Sequence, residues 1–163
     1  MYNNWIIVFL FYSAMTGLVY SKSEKDTIAR NSFYLELGGN SIAYSVNYDR
    51  LVGDYFSIRF GTMYFPEIKV HRKTASGGIS LFSMLNFLVG NENHKLESGL
   101  GPLFITKPDF SFNEFGYAIT GTLGYRYQQR TGGFLFRIGF TPYYDLRTDF
   151  FVPMGGLSFG YSL

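Results

Sequence analysis

Aromatic and aliphatic residues alternate with small or polar ones, segment after segment, from Ser32 to Leu163. In Phe134-Leu135-Phe136-Arg137-Ile138-Gly139-Phe140 one face reads Phe, Phe, Ile, Phe, while the other carries an arginine and a glycine. A two-residue period belongs to strands, whose successive side chains point to opposite sides. About eight such segments follow one another, each with one face of large apolar residues and one face that is partly polar. That repetition leaves little room for helices and predicts an all-β chain.

Read in order, the first strand sets Phe33, Leu35 and Leu37 against Tyr34 and Glu36, and Gly39-Asn40 marks a tight turn. The second sets Ile42, Tyr44, Val46 and Tyr48 against Ser45, Asn47 and Asp49, and the third sets Phe56, Ile58, Phe60 and Tyr64 against Ser57, Arg59 and Gly61. A polar loop spans 66–78. The fourth strand, Ile79 to Val89, is apolar on both faces, and Leu81, Leu85 and Phe87 are placed outward. In the fifth, Leu96, Leu100 and Phe104 oppose Glu97, Gly99 and Gly101; in the sixth, Tyr117, Ile119, Leu123, Tyr125 and Tyr127 oppose Ala118, Thr120, Thr122, Gly124 and Arg126. The segment from Phe134 is the seventh strand, with Arg137 on its polar face. After a loop over 141–153, the eighth sets Leu157, Phe159, Tyr161 and Leu163 against Ser158, Gly160 and Ser162.

Connection lengths alternate too. The second, fourth and sixth are short, whereas the third, fifth and seventh run to about 9 to 13 residues, as in outer-membrane barrels with short periplasmic turns and longer external loops. The first connection is the exception, being short where an external loop belongs. An eight-stranded antiparallel transmembrane β-barrel in up-and-down meander order is the expected fold over 32–163, with both termini on the periplasmic side.

Composition fits a chain that turns its greasy face outward. Aromatic residues make up 20% and charged residues only 16%, well below the quarter usual for soluble domains. The net charge of +2, with scattered Lys and Arg, argues against nucleic acid as a partner. No cysteine is present, which excludes disulfides and thiolate chemistry. The apolar run Trp5 to Tyr20 is short for a spanning helix and reads as a secretory signal over 1–21, with Val19 and Ser21 as the small residues before a cut. A short polar segment, 22–31, then leads into the barrel.

The tail Gly155-Gly156-Leu157-Ser158-Phe159-Gly160-Tyr161-Ser162-Leu163 resembles the terminal strand by which barrel-assembly machinery recognises outer-membrane proteins, although Leu163 stands where Phe is usual and Ser158 where glycine is frequent. Gly121-Thr122-Leu123-Gly124-Tyr125-Arg126-Tyr127 and Phe136-Arg137-Ile138-Gly139-Phe140 are similar to strands of small eight-stranded outer-membrane barrels of Gram-negative, Bacteroidetes-type bacteria. The resemblance implies an outer-membrane address, with lipid and the assembly machinery as partners.

Candidate functional residues fall into three groups. Glu36, Asp49, Arg59, Glu97, Arg126 and Arg137 face inward, and three acids with three arginines form a balanced set. Because an eight-stranded barrel is only wide enough for side chains to fill it, these charges are expected to pair as an interior network rather than line a channel. Tyr48, Tyr55, Tyr125, Tyr127 and Tyr161 near the short turns, with Tyr64, Tyr117, Tyr143 and Tyr144 near the long loops, read as two aromatic belts at the bilayer interfaces. His71 with Ser76 or Ser80, and Glu67 nearby, are the candidates for a lipid-modifying hydrolase or acyltransferase at the external rim. His71 and His94 fall at opposite ends of the barrel, so no metal site is expected from them, and no cofactor motif is present. A non-enzymatic membrane barrel that anchors external loops is the leading expectation, set against a rim enzyme, a narrow-pore channel and a soluble lipocalin-like barrel.

Overall fold

Strands form wherever β-branched and aromatic residues alternate with small ones, and the computed structural model shows twelve of them among its described residues. It describes residues 28–66, 68–70, 73–75, 77–106 and 116–163, so the expected leader over 1–21 and most of the segment after it lie outside the described residues. In chain order the strands are β1 (Asn31–Gly38), β2 (Tyr44–Val52), β3 (Phe56–Phe65), β4 (Ile68–Val70), β5 (Lys73–Ala75), β6 (Gly78–Asn91), β7 (His94–Thr106), β8 (Gly116–Gln128), β9 (Gly133–Phe140), β10 (Tyr143–Asp145), β11 (Phe150–Val152) and β12 (Gly155–Ser162).

Eight of them, β1, β2, β3, β6, β7, β8, β9 and β12, pair antiparallel in chain order, and β1 pairs with β12, so the sheet closes into a meander barrel. The register fixes its shape. From Tyr34 the line of paired residues runs through Asn47, Gly61, Phe82, Leu103, Ala118 and Asp145 to Phe150. The β1–β12 pairing, with Gly38 opposite Gly156, brings that line back about ten residues along β1 from its start. An offset of about 33 Å against eight spacings of about 4.8 Å tilts the strands by roughly 40°. Such a barrel is filled by its own side chains. The first and last strands of the barrel meet at the short-turn end, where Asn31 and Leu163 exchange backbone hydrogen bonds of 3.0 and 2.7 Å.

Three connections differ from the sequence reading. The first is more than a two-residue turn: Gly38 and Gly39 take φ of 68° and 78°, and a 3-10 turn over Gly39–Ser41 drops into the barrel mouth, where Asn40 and Ser41 are buried. The loop over 66–78 contains the β4–β5 pair. The loop over 141–153 is a hairpin extension, for Phe140 pairs with Gly155 and Tyr143 with Val152 in unbroken register. Pro142 and Pro153 interrupt the strands because proline has no N–H to give to a ladder, which is why the sequence read as loop there.

The ambiguous fourth strand, β6, does turn Leu81, Leu85 and Phe87 outward. Its other face is apolar as well because Phe82 and Met84 pack inside against Leu103 and Ala118, with Ile105 and Tyr143 beside them.

Where the inserted turn rejoins β2, Ile42 has φ 78° and ψ −62°, and Ala43 N–H bonds the Ser41 carbonyl at 3.0 Å. This is a γ-turn, a strained conformation costing roughly 1–3 kcal/mol for a β-branched residue. The Ile42 side chain is exposed and gains little in return. Ile42→Gly is therefore expected to raise the unfolding free energy by about 1 kcal/mol after the added chain entropy of glycine, measured by urea unfolding.

Candidate functional site

Each inward-facing charge sits on a different strand at a position set by the two-residue period: Glu36 on β1, Asp49 on β2, Arg59 on β3, Glu97 on β7, Arg126 on β8 and Arg137 on β9. All six are buried. Unpaired, any of them would be costly, so their order matters. Arg59 Nη2 lies 2.7 Å from Glu36 Oε2, and Arg137 Nη1 lies 3.8 Å from Glu36 Oε1. Arg137 grips Glu97 with both prongs, Nε to Oε2 at 2.8 Å and Nη2 to Oε1 at 2.7 Å. Arg126 lies 3.9 Å from Glu97 and donates to Asp49 Oδ1 at 2.7 Å. The result is one alternating chain, Arg59, Glu36, Arg137, Glu97, Arg126, Asp49, in which every interior charge has an opposite neighbour.

Neutral partners complete it. The Tyr34 ring lies between Arg59 and Arg137, whose guanidinium carbons are 5.4 and 4.9 Å from its centroid, and its hydroxyl accepts from Arg137 at 2.8 Å. Asn47 accepts from Arg59, and Ser57 donates to Asp49 at 2.9 Å. Neutral side chains on a polar face carry no charge pattern, so inward parity is the one sequence signal for Tyr34, Asn47 and Ser57.

The two mouths are closed by backbone. At the long-loop end, Asn40 donates to Thr120 Oγ1 at 2.7 Å and the Gly121 carbonyl at 2.8 Å, accepts from Arg59 at 2.9 Å, and gives its N–H to Glu36 at 3.2 Å. Ser41 Oγ meets Ser80 Oγ at 3.0 Å. At the short-turn end, Ala29 is buried and takes a hydrogen bond from Gln128, whose Oε1 accepts from Arg126 at 2.9 Å. Between the mouths a void the size of about one water is lined by Glu36, Glu97, Thr122, Arg137, Thr141 and Ser158.

Of the proposed rim residues, His71 and Ser76, with Glu67, lie outside the described residues. Ser80 is inside the barrel, bonded to the inserted turn, where no rim substrate reaches its hydroxyl. Among the described residues no group of three or more His, Asp or Glu could hold a metal ion. His94 lies at the short-turn end against Tyr125 and Tyr127, with Nδ1 2.6 Å from the Tyr125 hydroxyl.

The tyrosines divide by height. Tyr55 and Tyr161 are exposed near the short turns, Tyr48 and Tyr127 are half-buried there, and Tyr64, Tyr117 and Tyr144 are exposed near the other end. Tyr143 departs from the expected belt. It pairs with Thr120, which faces inward, and packs on the interior apolar cluster; Pro142 hid the continuing period. Beyond it, Asp145 in the hairpin tip accepts the Arg147 backbone N–H at 2.8 Å, which holds its carboxyl below the usual range.

The outer wall inverts the ordinary arrangement of a water-soluble domain. Leu96, Leu100 and Leu123 are 66%, 64% and 64% exposed, while Arg59 and Arg126 are 0% exposed. The chain matches no protein-family model, no curated protein and no solved structure.

Proposed function

We propose that the chain is an outer-membrane protein whose barrel spans the bilayer and anchors its external connections, including the β10–β11 hairpin, for contacts at the cell surface. The observation that carries this reading is the outward apolar wall. Leu35, Leu37, Val46, Phe60, Leu85, Leu100, Leu123, Ile138 and Phe159 are all more than two-fifths exposed, a continuous apolar surface far larger than soluble monomers present to water. Lipid is the solvent that such a wall fits, and a closed barrel satisfies every strand's backbone within it. A lipocalin-like barrel would need the opposite faces exchanged.

The interior supports a structural rather than a catalytic or conducting role. Its charges are consumed by one another, and Asn40-Ser41 and Ala29 stopper the two ends. The exported, Gram-negative setting rests on the apolar run over Trp5 to Tyr20 and on β12, whose alternation suits recognition by barrel-assembly machinery.

The test is migration on a denaturing gel with and without boiling, alongside separation of inner and outer membranes. The expected result is a boiling-dependent shift confined to the outer-membrane fraction. Detergent-free solubility without a shift would overturn the reading.

A further inference from the structure

The wall of the barrel is not equally tall all round. On β8 the outward residues run from Tyr127 to Tyr117, ten residues or about 33 Å along the strand, and a tilt of roughly 40° makes that about 25 Å across the bilayer, the height of an outer-membrane apolar band. On β2 the outward apolar stretch is interrupted much sooner, by a charge that stands between Tyr48 and the exposed Val52. Arg50 is exposed on the outer wall and donates to Asn31 Oδ1 at 3.1 Å, and the Tyr48 hydroxyl donates to the same oxygen at 2.9 Å. At the upper end the Tyr44 hydroxyl donates to the Tyr64 carbonyl, and above it the chain turns into the mouth. Arg50 to Tyr44 is six residues, about 20 Å along the strand and about 15 Å across the bilayer. β1 adds nothing higher, because its last pair is Gly38 with Gly156.

We infer that the β1–β2 wall thins the bilayer beside it, drawing the lipid headgroups about 10 Å closer together around Leu35, Leu37 and Val46 than around β7 and β8. This rests on the membrane-spanning reading above. An apolar wall shorter than the hydrocarbon is met either by thinning or by covering the wall with another protein. A second copy is the less suitable occupant. A two-fold contact through this wall sets Arg50 against Arg50 at one depth in a low dielectric, where like charges repel strongly. A lipid phosphate is the natural neighbour for that guanidinium, and its place at Arg50 is what pulls the lower headgroups inward.

The experiment compares two positions at nearly one height on opposite walls. Counted along the register, Leu37 on β1 and Leu100 on β7 lie within about 3 Å of the same level. Single tryptophans are placed there in a Trp5→Phe background, which removes the one natural tryptophan, and the full chain is folded into phosphatidylcholine vesicles brominated at known acyl depths. Leu37→Trp is expected to be quenched most by bromines about 6 Å nearer the headgroups than those that best quench Leu100→Trp. Should Leu37→Trp fail to show the boiling-dependent shift of a folded barrel, Leu37→Cys carrying a small fluorophore takes its place. Equal depths in inserted protein would overturn the inference and leave the membrane reading standing. Loss of quenching at position 37 alone, with a disulfide-linked dimer from Leu37→Cys, would overturn it in favour of a second copy. Absence of quenching at both positions would overturn the membrane reading as well.

Discussion

Glu97→Leu is expected to lower the unfolding free energy by about 3–5 kcal/mol, the cost of leaving buried charge uncompensated. Glu97 is the sole acid gripped by both prongs of Arg137, and it also stands 3.9 Å from Arg126. Removing it leaves Arg137 with one carboxylate oxygen at 3.8 Å and the Tyr34 hydroxyl at 2.8 Å. The Arg137 side chain is only 6% exposed, so the guanidinium left behind stays largely out of bulk water. Urea unfolding in detergent, followed by the loss of the compact unboiled gel band, measures the change.

The chain-like order of the network makes a sharper statement possible. Glu97 and Arg137 are its middle, so deleting both leaves two intact end pairs, Arg59 with Glu36 and Arg126 with Asp49, each at 2.7 Å. Glu97→Leu with Arg137→Leu is therefore expected to recover most of the loss, to within about 1.5 kcal/mol of the parent, since apolar residues of similar volume replace a buried pair at little cost. A double variant as unstable as the single would mean that the six charges act as one unit rather than as successive pairs.

Much of this arrangement is legible in the amino-acid sequence, and the reason is the period. In a closed barrel with an apolar outer wall and a polar interior, a residue's parity decides whether it is inside, so Glu36 and Arg126 are assigned to one interior from alternation alone. Which charge meets which cannot be read that way, because partners such as Asp49 and Arg126 are 77 residues apart and their meeting depends on the strand offset around the barrel. Parity also fails where proline breaks the run, as Pro142 does before Tyr143. The inserted turn was hidden for a different reason. Gly39-Asn40 has the composition of a hairpin turn, and its inward course is set by Glu36, Arg59 and Thr120, which reach it from three strands.

That inward course makes Gly39 a position where a single methyl group should matter strongly. Its φ is 78°, and a Cβ there would stand 2.3 Å from Glu36 Cδ and 2.4 Å from Oε2. The carboxylate cannot retreat, for Arg59 holds it at 2.7 Å and Ser45 at 3.3 Å. Gly53 supplies the control, with φ of 72° and nothing within 4 Å of its would-be Cβ. Gly53→Ala should show the backbone penalty alone, about 1 kcal/mol, whereas Gly39→Ala should lose about 3 kcal/mol or more, because it also expels the turn. Expulsion has its own signature. With no natural cysteine, Ser80→Cys reports on the mouth: under the seated turn it should resist a charged thiol reagent, and with Gly39→Ala added it should label rapidly. Equal stability losses at Gly39 and Gly53, with the thiol still protected, would show that the turn tolerates the methyl group and that crowding against Glu36 does not hold it in place.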